Sequence, residues 1–320
     1  LLRASRDRDV QVSALIECAW LAIDGKDADE AEALVRTTWK LTPQAATQAA
    51  LAEASFFVGE LRFAAHDEAR ALALYELAEL HGAPGLKAQA LYKCGFTRLR
   101  NDEFDAAALC FARVASEHAA HELAGESRYL LGESHARAKH FDEAIEALAA
   151  FVAQMPRHAS VPKALLRLGV AHGELGHWSQ CEAALGELAR RAVDGESNAE
   201  ADVWRGRAAA QRKDARAAKA AFERVLAKDR GVCAARARIE LGRLATAAHD
   251  DEEALAQFLK VALLYDGGEV VAEASYLAGE VLERLGRVDK AKARYRELVE
   301  KQPESAFATL ARARLDALAR

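Results

Sequence analysis

Residues Tyr129–Pro156 read YLLGESHARAKHFDEAIEALAAFVAQMP. An apolar run leads into Gly132, and twelve residues later comes Ala144, followed at helical spacing by Leu148 and Phe151. Both stripes have the period of an amphipathic helix. Only the polar stretch Ala138-Lys139-His140 separates them, and two helices joined by so short a turn lie antiparallel. The segment therefore predicts a helical hairpin.

The same register extends in both directions. A small residue recurs at Ala19, Gly59, Gly95, Gly132, Gly169, Gly206, Gly242 and Gly279, spaced by 40 and then 36, 37, 37, 37, 36 and 37 residues. Twelve residues after each stands Ala31, Ala71, Ala107, Ala144, Cys181, Ala218, Ala254 or Ala291. Four further on stands Val35, Tyr75, Phe111, Leu148, Leu185, Phe222, Phe258 or Tyr295. The offset of 12 holds in every copy, and length variation falls between copies. A glycine inside a helix costs about 1 kcal/mol relative to alanine, so seven in register imply close approach of the paired helices. Each hairpin is too small to bury its own apolar surface, and stacked neighbours supply the rest. The fold class expected is all-α: a right-handed α-α solenoid of about eight hairpins. The units are placed near 11–46, 50–85, 87–121, 124–158, 161–195, 198–232, 234–268 and 271–303. They follow an N-terminal flank at 1–10, and a capping helix follows at 304–320. In that helix Phe307, Leu310, Leu315 and Leu318 are expected inward, with Arg312, Arg314 and Asp316 toward water.

The pattern resembles the tetratricopeptide repeat family across about Gln11 to Pro303. The last unit carries it as Tyr276, Ala278-Gly279, Gly286, Ala291, Tyr295, Leu298 and Pro303, with Pro43 and Pro156 at the same closing position. The unit is about three residues longer than the family's 34. Tyr129–Pro156 is most similar to the long-repeat arrays of bacterial tol-pal-associated and outer-membrane-assembly proteins. That narrower resemblance favours the cell envelope over the cytoplasm.

The resemblance also implies a function. First helices in this family line a concave groove that holds a peptide or protein segment, through positions six and three before the glycine and one and four after it. Carried over, these give Ile16, Trp20, Phe56, Phe63, Tyr92, Phe96, Leu99 and Tyr129 in the first four units, among Glu53, Glu60, Glu126 and Glu133. Aromatic rings offer large contact area at low entropic cost. The position three before the glycine also packs between neighbouring first helices, so both readings stay open for Phe56, Tyr92 and Tyr129. Trp20, Phe63 and Phe96 point away from the paired helix. Later units place Arg207, Arg236 and Arg243 in the groove, within a stretch from Trp204 to Arg243 holding twelve Lys/Arg against four Asp/Glu. Arginine grips carboxylates bidentately, so an acidic segment or chain-terminal carboxylate would suit it; a solvated basic face is the other reading. The family's chaperone-tail clamp needs lysine and asparagine where Val203 and Ile239 stand, which argues against that partner class.

Composition narrows the rest. Apolar residues make up 51%, much of it alanine, and net charge is −5, which gives no general attraction to nucleic acid or anionic membrane. Nucleic acid is not an expected partner; Arg205–Arg243 is where an anionic polymer would sit. No uninterrupted apolar run reaches membrane-spanning length. The chain opens on Leu1 and a charged stretch to Val10 that is no signal peptide, so a processed or excised segment is expected. Five cysteines without a CxxC spacing give neither a disulfide framework nor a zinc site. His118 and His121 lack further ligands nearby, and Glu133, Ser134 and His135 are helix neighbours pointing different ways. His135 and His172 share one register position, so they are expected near each other in the inter-helix core. No cofactor, no metal and no catalysis are expected. The chain reads as a non-enzymatic interaction scaffold; the alternative is a sensor or regulatory segment of a larger signalling or transcription-regulatory protein.

Overall fold

The structure, a computed structural model, describes residues 8–191 and 198–319. The outer part of the 1–10 flank, the tail of the 161–195 unit and Arg320 lie outside the described residues. What is described is all-helical, an α-α solenoid of consecutive hairpins. The first helices are α1 (Arg8–Asp24), α3 (Ala45–Ala64), α5 (Pro84–Arg100), α7 (Leu123–Arg137), α9 (Val161–Glu174), α11 (Ala199–Gln211), α13 (Val232–Ala247) and α15 (Gly268–Arg284). The second helices are α2 (Ala28–Lys40), α4 (Glu68–His81), α6 (Phe104–Glu117), α8 (Phe141–Gln154), α10 (Trp178–Arg191), α12 (Ala215–Lys228), α14 (Asp251–Leu264) and α16 (Val288–Lys301). A last helix, α17 (Ala306–Ala319), packs on α15 and α16. The chain divides into two compact units, Leu1–Ala171 and His172–Arg320.

In unit 1, the large side chain sixteen residues after Gly59, Gly95 and Gly132 fills the space a Cβ would take there. At Gly59 an added Cβ would stand 2.7 Å from Tyr75 Cε1, and at Gly95 it would stand 2.9 Å from Phe111 Cε1. At Gly132 it would lie 2.5 Å from Leu148 Cγ. In unit 2 Phe222, Phe258 and Tyr295 occupy the same space at Gly206, Gly242 and Gly279, closer still. The small residue therefore serves mainly to seat a large side chain, more than to bring two backbones together. The first hairpin shows the converse: Ala19 keeps its methyl, and its partner is the smaller Val35. All eight side chains at that position are essentially fully buried. Full burial of a Phe or Leu stabilises by about 1.5–3 kcal/mol, which outweighs the roughly 1 kcal/mol lost by a mid-helix glycine.

The turns explain why the offset never varies. Seven residues after each small residue the backbone is left-handed: Lys26, His66, Asp102, Lys139, Gly176, Lys213, His249 and Gly286, with φ between 57° and 73°. The following N–H donates to the carbonyl five residues back, as in His140 to His135 (2.9 Å) and Asp214 to Ala209 (3.0 Å). Each first helix thus ends in a Schellman turn. The next residue begins the second helix, and at Asp27, Asp67, Asp214 and Asp250 its carboxylate accepts from the N–H three residues on, a favoured N-cap. Stop and start signals share two adjacent residues, leaving no room for an insertion.

One expectation is corrected in α17. Leu310 is 47% exposed, while Ala308 and Ala311 are buried and Phe307, Leu315 and Leu318 pack partly against the core. The stripe runs through 307, 311, 315 and 318, and Leu310 lies to one side of it, because the contact is set by small residues.

Only two of the eight left-handed positions are glycine. A left-handed conformation costs an L-residue roughly 1–2 kcal/mol. Lys139→Gly should therefore raise stability in urea by about 0.5–1 kcal/mol after the entropy that glycine adds to the unfolded chain, while Gly286→Ala should lower it by about 1 kcal/mol. A Lys139→Gly protein with a lower urea midpoint would contradict the turn assignment.

Candidate functional site

The face of the first helices not covered by their second helices follows a rule of its own. Between α1 and α3, α3 and α5, α7 and α9, and α11 and α13, the residue one after the small residue meets the residue two before the next glycine. In unit 1, Trp20 lies on Phe57 with ring centroids 5.3 Å apart. Glu60 accepts from Lys93 Nζ at 2.6 Å, and Glu133 accepts from Arg167 Nε at 2.9 Å. In unit 2, Arg207 Nε donates to Glu240 at 2.8 Å. These four seams are joined by aromatic or ionic pairs at one register, whereas α13 and α15 are joined by Arg243 and Glu273, six before Gly279.

Within unit 1 the predicted aromatic residues separate into two sets. Phe56 and Tyr129 are 8% and 7% exposed and turn toward the interior, against Tyr75 (5.6 Å) and Phe151 (6.1 Å). Tyr92 is half-buried against Phe111 at 5.9 Å. Leu99 and Ile16 are buried. Phe96 is 36% exposed, and Phe57, at a position the sequence reading passed over, is 41% exposed. Trp20 and Phe63 are half-buried. Phe63 meets Phe96 at 6.2 Å, with the Arg100 guanidinium 4.7 Å and Lys93 Nζ 5.8 Å from its ring centre. Such cation–π contacts hold the cations in place over the ring. Arg100 also pairs with Glu68 at 3.0 Å. The Tyr75 hydroxyl donates to Glu60, and burial with that carboxylate beside it drives its pKa up.

In unit 2 the arginines are less basic in effect than their count suggests. Arg207 stacks 4.7 Å over Trp204. Arg243 donates to Glu240 at 3.1 Å and to Glu273 at 2.5 Å. Burial raises the Glu273 carboxyl pKa above its usual range, against the pull of Arg243. Arg236 is exposed and has no hydrogen bond or ion pair among the described residues. Arg207, Arg236, Glu240 and Glu273 line a cavity of about 230 Å³ with Glu174 and Ile239. It adjoins one of about 480 Å³ that reaches Trp178, Trp204 and Gln211. Val203 and Ile239, at the clamp positions, are buried.

Other ionisable candidates have local roles. The His121 ring accepts from the Leu123 N–H at 3.2 Å, at the start of α7. His135 lies 6.3 Å from His140, and His172 lies 5.8 Å from His177. Cys94 and Cys110 are buried, and desolvation raises both thiol pKa values. Among the described residues no three His, Cys, Asp or Glu side chains gather as a metal site, and no helix is long and apolar enough to cross a membrane.

Hairpins in fixed register, a core of seated rings and a partly open face of first helices define a helical-repeat interaction module. The chain belongs to the tetratricopeptide repeat family: its sequence matches that family over residues 97–159, 166–231 and 273–305, together half of the chain. No curated protein sequence matches it. Among solved structures it is similar to PilW, described as a widely conserved type IV pilus biogenesis factor, at 18% identity and TM-score 0.56. That match covers 70% of this chain and 97% of the other. The apo form of the quorum sensor NprR from B. thuringiensis is 10% identical with TM-score 0.53, covering 92% and 99%. A tetratricopeptide repeat protein from Parabacteroides merdae is 16% identical with TM-score 0.51, covering 83% and 98%. At these identities the likeness is one of fold.

His172 supplies a pH dependence. Its Nδ1 is enclosed without a partner, and burial, then the neighbouring His177, lowers its pKa from 6.5. The unfolded chain therefore binds the proton first. Stability is complete above about pH 6.5 and falls as pH drops from there to the lowered folded value. Urea midpoints should decline over that window in the wild type and decline less in His172→Phe. An equal decline in both would remove His172 as a source.

Proposed function

We propose that the chain is a non-enzymatic scaffold that holds a peptide or protein segment on the face of its first helices. One observation carries the proposal: Trp20, Phe57, Phe63 and Phe96 keep open ring surface on that face of unit 1, although the hairpin core already has its seated rings. Exposed aromatic side chains at such density mark recognition surfaces. Lys93, Arg100 and Glu60 are tied to one another or to the rings, so the surface is preorganised and loses little entropy on binding. Anchoring is assigned to Trp20, Phe63 and Phe96, with Phe57 added. Phe56 packs edge-on against Phe57 and Tyr92 stacks on Phe96, while Tyr129 packs on Phe151 in the interior. A place in a cell-envelope assembly fits the architecture shared with PilW and is tested by fractionating cells that make the full gene product.

Segments selected from a random phage-displayed peptide library on the wild-type chain should carry apolar or aromatic anchors. Each hot-spot aromatic contributes about 2 kcal/mol or more. Phe57→Ala with Phe96→Ala should therefore weaken a selected peptide by about a hundred-fold or more, while Leu109→Ala, exposed on α6, should not. Failure to select any peptide, or equal affinity in the double variant, would count against this surface.

A further inference from the structure

We propose that the first-helix face of unit 2 binds a carboxylate-bearing peptide segment, and that Glu273 occupies the place the ligand carboxylate takes. The inference rests on the reading of first-helix faces as partner surfaces, but on different residues and different chemistry from unit 1. Arg236 and Arg243 stand on α13 seven residues apart, two turns along one face. Both border the same charged region, Arg236 in the smaller cavity and Arg243 in the larger, and the two cavities share Glu174, Arg207 and Glu240. Glu240 is buried and already accepts from two guanidinium groups, those of Arg207 and Arg243. The outer nitrogen of Arg243 is left to Glu273 at 2.5 Å, and Arg236 makes no hydrogen bond or ion pair among the described residues, acting on Glu273 only through its charge.

Glu273 thus holds the half-exposed Arg243, and Arg236 stands at the same cavity as Glu273 without an ion pair among the described residues. Glu273 reaches Arg243 from the neighbouring α15, as a ligand side chain laid across the face would. Burial opposes its charge, against the pull of Arg243. Ligand carboxylates can take the bond to Arg243 and pair with Arg236, each guanidinium offering the two-pronged donor set that suits a carboxylate. The adjoining cavity beside Trp178 and Trp204 has room for an apolar neighbour of that carboxylate. The group Arg243 already holds is a side-chain carboxylate, which a peptide supplies and a phosphodiester backbone does not.

Fluorescence anisotropy of a fluorescein-labelled, amidated oligo-glutamate peptide with the full chain tests this. Wild type should bind, Glu273→Gln should bind about ten-fold tighter, and Arg236→Gln about ten-fold weaker or worse. Arg236 is exposed and makes no ion pair among the described residues, so its replacement leaves the fold intact even if the Glu273 variant does not fold. The proposal is overturned if no form binds, if a helical Glu273→Gln chain binds no tighter than wild type, or if Arg236→Gln binds as well as wild type. It is also overturned if an oligothymidylate of equal length binds more tightly than the peptide. Phe57→Ala with Phe96→Ala should leave this binding unchanged, which separates its failure from failure of the unit 1 surface.

Discussion

A ring seated on a glycine is the contact on which the rest depends. The glycine gives up a side chain so that the residue sixteen positions later can lie against the first helix. This contact sets how the two helices of a hairpin face each other, and it can form only if the connection has one length. The left-handed residue and the N-cap that follows it supply that length in all eight hairpins. Ala19 with Val35 shows the same volume divided differently, as close packing requires. Core, turn and register are consequences of one steric condition.

Once the second helices are seated, the opposite face of each first helix is left to the neighbouring hairpin and to solvent. At four seams one register position joins successive first helices, and its chemistry changes along the chain: Trp20 with Phe57, Glu60 with Lys93, Glu133 with Arg167, Arg207 with Glu240. Where the pair is aromatic, ring surface remains open. Where it is ionic, the charges are largely satisfied, and partly buried pairs of this kind contribute more to geometry than to net stability. Open rings in unit 1, and in unit 2 Arg236, which has no ion pair among the described residues, are what the internal pairing leaves over on this face.

The hairpin repeat was legible because small residues, second-helix alanines and large apolar residues keep their offsets through eight copies. The left-handed turn was hidden, since Lys26, His66, Lys139 and Lys213 carry no conformational signature of their own. Phe57 and Glu240 were missed because they stand two before the glycine, outside the positions the family uses. The complementary charges of Glu60 and Lys93, or of Arg207 and Glu240, could have revealed that position in the sequence. The basic stretch from Trp204 to Arg243 looked like a cationic groove because counting along the chain leaves out Glu273, which arrives from the next hairpin. Tyr129 and Phe56 kept two readings, since a residue three before the glycine faces both the interior and the groove rim.

The central claim is that volume is exchanged between the helical glycine and the ring it seats. A double-mutant cycle on Gly206 and Phe222 measures it directly, with Phe222→Val reproducing the Ala19 and Val35 combination. Gly206→Ala alone should destabilise by about 1–3 kcal/mol through overpacking, although alanine is the better helix former by about 1 kcal/mol. Together with Phe222→Val it should cost less than the sum of the single changes, with a coupling of about 1 kcal/mol or more. A Gly206→Ala chain that is more stable than wild type, with additive effects in the cycle, would contradict the account.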